Sequence, residues 1–383
     1  AVILCGGLGS RLKEITKITP KPLLLVDKIP MVQHLIKHFC RFGIKEVLLL
    51  CCYKYDQFKK MFHNKIFYGA KIKCINEKNR LGTSGALYNA KKKLDNNFIL
   101  SNGDTLFDIN LSDLVKQFRK KDNTVCFISL KKTKKNNKFD SFKLNKDNSI
   151  RIDIKKKSPL VNSGLIICSK KILKFLKKKG SLEKDVYPKL IDEKKIYAKE
   201  YNAKFIDMGR IHDLKKMPSF IKKFYYKPAL FLDRDGVINK DIGYANQIKD
   251  FIWRNNIKKF VKNYNDKNFY VIVITNQSGI GRGYYSEKDM QKLHNWMVYN
   301  FREYGANIDD IYYSPYYKYS KNHKFRKDKK LRKPNIGMIE LAKKKWNINM
   351  KKSIFIGDNL VDKQTAINAG LGFKILKFED KII

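Results

Sequence analysis

The chain has 383 residues, of which 43% are apolar, and 82 lysines and arginines against 36 acidic residues leave a net charge of +46. That length exceeds one ordinary core, so two domains are expected, and the apolar share excludes a chain too polar to fold. No window reaches the run of ~18 apolar residues that a membrane helix requires.

In chain order, strands are predicted over residues 1–5, 46–52, 71–75, 98–101 and 124–130, and helices over 31–42, 84–94 and 111–120. Such alternation implies a mostly parallel sheet covered on both faces. Shorter strands across 139–169 predict a mixed or antiparallel addition, and helices follow over 170–178 and 182–193, the second with Ser181 as its cap. A helix over 211–224 then runs towards Pro228, which disfavours helix at the residue before it. The expected boundary falls there, giving domains over 1–224 and 228–383. A second β–α series occupies 229–232, 257–264, 270–274, 287–304, 308–313, 336–345, 353–356, 360–369 and 373–376. The expected architecture is two different α/β domains in tandem.

The seven cysteines lie in the first half, form no CxxC pair and fall mostly in apolar runs, as buried thiols of a reducing cytoplasm do. No charged, then apolar, leader is visible, although the chain starts without Met. The lysines are scattered (91–93, 155–157, 177–179, 343–345) and no stripe interleaves them with aromatic residues. The charge therefore does not point to a nucleic acid or membrane partner, although its field favours phosphorylated small substrates.

The first strand leads into CGGLGSRLKEITKITPKPLLLVDKIP. Gly6, Gly7 and Gly9 let the backbone approach a ligand and turn N–H groups towards phosphates, while Arg11 and Lys21 add cationic donors. Pro20 and Pro22 hold Lys21 in an extended stretch. The run is neither GxGxxG nor a GKS/T loop. It resembles the signature of the sugar-nucleotidyltransferase family, GGxGTRLxPxTxxxPKPxxPV, with Ser10 for Thr, Leu25 for a second Pro and Lys28 for a frequent Gly. The resemblance continues in order. EKNRLGTSGAL, with Glu77, Gly82 and Thr83, is similar to the segment that contacts base and sugar. SNGDTLFD resembles the strand-end GD, implying sugar contact at Gly103 and a Mg2+ ligand in Asp104. VNSGLIICS implies that Asn162 and Gly164 face the sugar, and SLEKDVYPKLI that Glu183 and Lys184 hold its hydroxyls and phosphate. FIDMGRIHDLKK implies a second metal carboxylate in Asp207. The reaction implied is attack of a sugar 1-phosphate on the α-phosphorus of a nucleoside triphosphate, expelling pyrophosphate. That needs alignment and charge neutralisation, with Arg11 and Lys21 as catalytic cations, but no protein nucleophile.

In the second half FLDRDGVIN ends a buried strand in two aspartates one residue apart, and two such carboxylates ask for a cation between them. The motif resembles the nucleophile motif of the haloacid-dehalogenase-type phosphatases. The resemblance implies attack on phosphorus by Asp233, proton transfer by Asp235, and a Mg2+ site built from Asp233, Asp235 and Asp358, with Asp362 in support. VIVITNQSGIGRG supplies Thr275 and Asn276 for the phosphoryl group, and LRKPNIGM supplies Lys333 to balance charge. DRDGVIN, NQSGIGRGYYSEKD and RKPNIGM together resemble the heptose-bisphosphate phosphatases and the related histidinol-phosphate phosphatases, implying that Arg282 and Arg332 meet the far end of the substrate. Many of those phosphatases carry zinc on a C-x-H…C-x-C loop. Here Ser314, Tyr316, Lys329 and Leu331 occupy ligand positions, so no zinc is expected.

Together the resemblances imply a cytoplasmic, Mg2+-dependent bifunctional enzyme of heptose activation. The phosphatase half would take the 7-phosphate from heptose 1,7-bisphosphate, and the transferase half would make GDP-heptose from GTP for a surface glycan such as lipopolysaccharide. CTP, UTP or dTTP with another sugar phosphate, fused to a histidinol-phosphate-type phosphatase, is the alternative pairing. A basic nucleic-acid-binding protein with decayed domains is the non-enzymatic one. The oligomeric state is not legible.

Overall fold

The computed structural model describes residues 1–12, 14–133, 141–155 and 157–380, and the side chain of Ser10 also lies outside the described set. Two compact units divide the chain at Ala1–Ile221 and Lys222–Ile383.

In the first unit Val2–Leu4 is a short, mostly buried strand and therefore pairs on both edges. It lies parallel to Glu46–Cys51 on one side and to Asn97–Asn102 on the other. Outward from Glu46–Cys51 come Ala70–Asn76, parallel, and Ile66–Phe67, antiparallel. Outward from Asn97–Asn102 come Leu160–Ser169, antiparallel, then Cys126–Lys132, and at the edge Ile196–Glu200. The result is an eight-stranded mixed, Rossmann-like sheet. Chain order reverses between Val2–Leu4 and Asn97–Asn102, so a crevice opens at their carboxyl ends, where α/β sheets bind ligands. The Gly-rich run leaves the first of these strands and Gly103–Asp104 leaves the second.

Helix Met31–Arg41 follows Pro30 and buries Met31, Val32, Leu35, Ile36 and Phe39, a helical spacing. Helix Leu111–Arg119 is capped by Asn110, whose side chain accepts from the Ser112 and Asp113 amides. Several expectations differ in detail. The helix expected over 170–178 is a single tight turn, Lys170–Lys174, after which the chain turns back to lie along residues 81–84: Gly180 N donates to Leu81 O, and Ser84 N to Gly180 O. The helix expected over 182–193 opens with a π-helical turn, Leu182–Val186, before Tyr187–Asp192, with Pro188 unable to donate in the first α-turn. Ser181 does cap it, accepting from Lys184 N. Across 141–169 the expected antiparallel addition is the hairpin Phe142–Leu144 with Ile150–Ile152, then Leu160–Ser169; residues 139 and 140 of that expectation lie outside the described residues. All seven cysteines are free thiols.

The second unit is a five-stranded, wholly parallel sheet in the order Asp310–Ser314, Tyr270–Asn276, Ala229–Leu232, Ile354–Gly357, Gly372–Ile375. Alternation along its central strand feeds two cores. Leu230 and Leu232 pack with Val261, Met297 and Phe301, while Ala229 and Phe231 pack with Met338, Ile339 and Ala342. A strand buried on both faces has no polar side to show, which is why ALFL reads as a continuous apolar run. Helix Glu287–Tyr304 opens with a reciprocal capping box between Ser286 and Asp289 and stops at Gly305. The chain order again reverses beside the central strand, so Asp233 and Asp358 leave neighbouring strand ends on either side of the switch point.

Candidate active sites

At the crevice of the first unit lies a cavity of about 510 Å3. Its lining includes Gly6, Gly7 and Gly9 of the first loop, Lys21, Glu77, Gly82, Thr83, Gly103 and Asp104, all singled out by sequence, together with Arg80 and Asn102, which were not. Lys21 Nζ makes an ion pair with Asp104 Oδ2. Thr105 Oγ1 lies 3.2 Å from Asp104 Oδ1 and 3.2 Å from Asp207 Oδ2, so one hydroxyl proton serves two carboxylates. The meeting comes from backbone pairing. Phe205–Asp207 runs antiparallel to Thr105–Phe107 with Asp207 opposite Thr105, and Met208 N donates to Asp104 O at 2.9 Å. Two carboxylates beside one lysine form an all-oxygen donor set that suits a hard divalent cation.

The wall across the cavity is the 81–84 turn. Gly82 takes φ +73°, and a Cβ there would lie 2.3 Å from Gly180 O, so no other residue fits without moving backbone. Thr83 Oγ1 accepts from Leu182 N at 2.8 Å and donates to Glu183 Oε2 at 3.0 Å, and Ser181 Oγ donates to the same oxygen at 2.6 Å. Glu183 is thereby fixed next to the cavity wall. Burial pushes the Glu77 carboxyl up to about 7, so near neutrality it can donate a hydrogen bond as well as accept one. Asn162 Oδ1 accepts from Gly164 N at 2.9 Å, and Gly164 packs against the cavity-lining Asn102. Arg11 and Lys184 are exposed, and neither is among the lining residues described.

In the second unit Lys333 is buried and bridges two carboxylates, with Nζ 2.7 Å from Asp233 Oδ2 and 2.6 Å from Asp362 Oδ1. Asp233, Asp358 and Asp362 bring one ligand oxygen each to within 4.8 Å of one another. Burial pushes Asp233 up to about 8 against the opposing pull of Lys333, and burial with the Asp362 charge pushes Asp358 up to about 6. Burial pulls Lys333 down, but the charges of Asp233 and Asp362 outweigh it and keep the ammonium above its ordinary value. One lysine thus faces three crowded carboxylates, and the uncompensated charge is what a divalent cation with oxygen ligands would relieve.

Asp362, expected in support, is the third acidic side chain of that cluster, and the side chain of Asp235 lies outside it. The Asp235 carboxylate is instead gripped by Arg234, with Nη2 2.9 Å from Oδ2 and Nε 3.2 Å from Oδ1. Asn239 Nδ2 and Gln277 Nε2 each donate to it at 2.9 Å. The buried Arg234 guanidinium needs acceptors and finds them in Asp235, His294 and Ala245 O. Thr275 is buried with its hydroxyl accepting from Gln277 Nε2 at 2.8 Å, and Tyr285 OH in turn donates to Gln277 Oε1 at 2.6 Å. Asn276 holds the Lys333 backbone, its Oδ1 accepting from Lys333 N at 3.0 Å. Arg234, Gln277 and Asn239 were within the quoted motifs; only their side-chain directions were hidden.

A strand-end glycine loop opposite a carboxylate pair bridged by the Thr105 hydroxyl, one member of it ion-paired to Lys21, and an aspartate–lysine cluster at the switch point of a parallel sheet define two phosphate-transferring enzymes in one chain. Comparison with known proteins agrees. The Nucleotidyl transferase family profile matches residues 1–224, and the Polynucleotide kinase 3 phosphatase profile matches residues 231–374. D-glycero-alpha-D-manno-heptose-1,7-bisphosphate 7-phosphatase of Photorhabdus laumondii is 43% identical over 141 residues, 37% of this chain and 77% of the relative. D-glycero-beta-D-manno-heptose-1,7-bisphosphate 7-phosphatase of Haemophilus ducreyi is 41% identical over 158 residues, 41% of this chain and 86% of the relative. The crystal structure of HddC from Yersinia pseudotuberculosis complexed with GMP-PN is 30% identical, covering 57% of this chain and 98% of that one with a TM-score of 0.48. The chain belongs to the nucleotidyl transferase family through its first unit and to the family of these heptose-bisphosphate phosphatases, of haloacid-dehalogenase type, through its second. Among the described residues no helix is long and apolar enough to cross a membrane.

Proposed function

We propose that the second unit removes the 7-phosphate from D-glycero-D-manno-heptose 1,7-bisphosphate, and that the first transfers GMP from GTP to the resulting heptose 1-phosphate, giving GDP-heptose and pyrophosphate. The carrying observation is that one chain holds both the Asp233–Lys333–Asp362 cluster and a glycine-lined cavity bordered by Lys21 and Asp104, with Asp207 joined to Asp104 through Thr105. The phosphatase's product, a sugar 1-phosphate, is of the class that the transferase consumes. Guanine and heptose come from the sequence resemblance, and the relatives' names include both anomers.

In the phosphatase site Asp233 Oδ attacks phosphorus and the sugar oxygen leaves, taking a proton from Asp235. Water, deprotonated by Asp235, then displaces Asp233 and releases phosphate. Lys333 and the Thr275 hydroxyl hold the transferring oxygens, and Arg234, Asn239 and Gln277 keep Asp235 oriented. In the transferase site the 6–9 loop amides and Lys21 hold the triphosphate, Glu77 and the 81–84 turn meet base and sugar, and Glu183 with Asn162 orients sugar hydroxyls for in-line attack. Mg2+ held by Asp233, Asp358 and Asp362, and by Asp104 and Asp207, would supply charge neutralisation on phosphoryl oxygens. A nucleotide-consuming enzyme with free thiols fits a cytoplasmic step feeding surface glycan, such as lipopolysaccharide, synthesis.

The test follows both phosphorus products by 31P NMR, with heptose 1,7-bisphosphate of either anomer, Mg2+ and each nucleoside triphosphate in turn. One phosphate and one pyrophosphate per nucleotide-sugar, with GTP preferred, is expected. Phosphate without pyrophosphate for every nucleotide and anomer sinks the coupling. Asp233→Asn should stop phosphate release yet still make nucleotide-sugar from supplied heptose 1-phosphate, and Lys21→Ala should do the reverse.

A further inference from the structure

The segment 314–331 has Ser314, Tyr316, Lys329 and Leu331 at the zinc-loop ligand positions and only His323 besides, so something other than that zinc cluster must order it. The structure shows what does. Phe325 packs against Ile280, Tyr285 and Met290. The neighbouring Lys324 Nζ pairs with Glu287 Oε2 at 2.7 Å, and Tyr313 OH donates to the other oxygen of that carboxylate at 2.8 Å. Within the segment, Arg326 Nε donates to Ser320 O, and Tyr317 N donates to Phe325 O at 3.1 Å. Its near end packs against the short helix Ser278–Arg282. A Cβ on Gly281 would lie 2.5 Å from Pro315 O and 2.8 Å from Tyr317 Cβ. The next residue, Arg282, lays its guanidinium 3.9 Å from the centre of the Tyr317 ring.

We infer that residues 315–331 form a metal-independent specificity flap, latched by Phe325 and the Lys324–Glu287 pair, in which Tyr317 is a positioning residue that aims Arg282 at an anionic group on the substrate distant from the reacting phosphate. This rests on the phosphatase reading above. An exposed arginine otherwise samples many rotamers, and a ring beneath it removes most of that freedom at little cost. Arg332 reaches the same flap, its Nη1 3.5 Å from Tyr316 O, and burial together with the charge of Arg282 holds its guanidinium below the ordinary value. Two like charges kept close by a flap form a site that an anion stabilises.

The experiment has two arms. In the first, Tyr317→Leu and Tyr317→Phe are assayed on heptose 1,7-bisphosphate and on para-nitrophenyl phosphate, which has no distal anion. Loss of the ring should raise KM for the bisphosphate about three- to tenfold, leave kcat within about twofold, and leave nitrophenyl phosphate turnover unchanged, with phenylalanine restoring KM. Unchanged KM for the bisphosphate, or equal damage to both substrates, overturns the role of Tyr317. In the second arm, Phe325→Ala and Glu287→Gln are digested briefly with trypsin, and cleavage after residues 321–330 is followed by mass spectrometry. Release of the latch should speed cleavage at least about tenfold. Unchanged cleavage, or one zinc per purified chain, overturns the latch. A wild-type protein that hydrolyses nitrophenyl phosphate but not the bisphosphate refutes the substrate assignment and the role of Arg282 with it. The digestion arm still decides the latch in that case.

Discussion

His294 is buried, and its Nε2 sits 3.0 Å from Arg234 Nη1, where only a neutral ring can accept a hydrogen bond. Burial and the Arg234 charge push its pKa down to about 3. The unfolded chain therefore binds more protons than the folded one between about 3 and the ordinary histidine value near 6.5, so stability rises with pH across that window and is lost as pH falls through it. A tenfold difference in proton affinity between the two states is worth ~1.4 kcal/mol. His294→Gln keeps an acceptor for Arg234 but cannot take up a proton. Thermal melts of the variant between pH 4 and 7 should show a shallower loss on acidification than the wild type, and parallel curves would remove His294 from the account. The same residue scale explains Asp235. Its carboxylate is placed by Arg234, Asn239 and Gln277, and no spacing rule in DRDG reveals which partner wins it.

Among elements, the 81–84 turn depends most on one residue. Gly82 has φ +73° and backbone pressed against Gly180 O, and that contact sets Thr83 against Glu183. Gly82→Ala must absorb both the left-handed backbone and the clash, about 1–3 kcal/mol locally. Pyrophosphate release should fall about tenfold or more, while phosphate release by the other unit stays within about twofold. Equal loss of both activities would show the damage to be general. The turn was legible as LGTSGAL, but its partner strand of chain was not. The lysine-rich stretch 170–178 reads as helix by propensity, whereas only Lys170–Lys174 makes a helical turn and the chain then turns back so that Gly180 pairs with Leu81 and Ser84. Likewise the edge strand Ile196–Glu200 alternates buried and polar residues, but over only five residues directly after a helix the pattern is too short to stand out.

For the whole molecule the dominant property is charge. A net +46 spread over both halves gives a positive field without a patterned stripe. Phosphorylated substrates gain from such a field, and salt screens it within about 10 Å at 0.1 M. At fixed pH and Mg2+, kcat/KM for both reactions should fall as potassium chloride rises from 20 to about 300 mM, with kcat much less affected. A flat profile would show that the lysines are too dispersed to act on substrate encounter.

The residues by themselves determined the two α/β units, the order of motifs along each, and the strand ends that carry Asp104, Asp233 and Asp358. These are properties of local periodicity and of a few adjacent side chains, and a strand end is marked wherever an apolar run stops at Gly or Asp. Only the tertiary structure decided which carboxylates meet. Thr105 joins Asp104 to Asp207 through antiparallel pairing across about a hundred residues. The Asp362 side chain joins those of Asp233 and Asp358, while the buried Arg234 holds the Asp235 carboxylate. Long-range pairing and competition for a buried charge depend on the packed neighbours of each group, and those are set by the fold and not by sequence spacing.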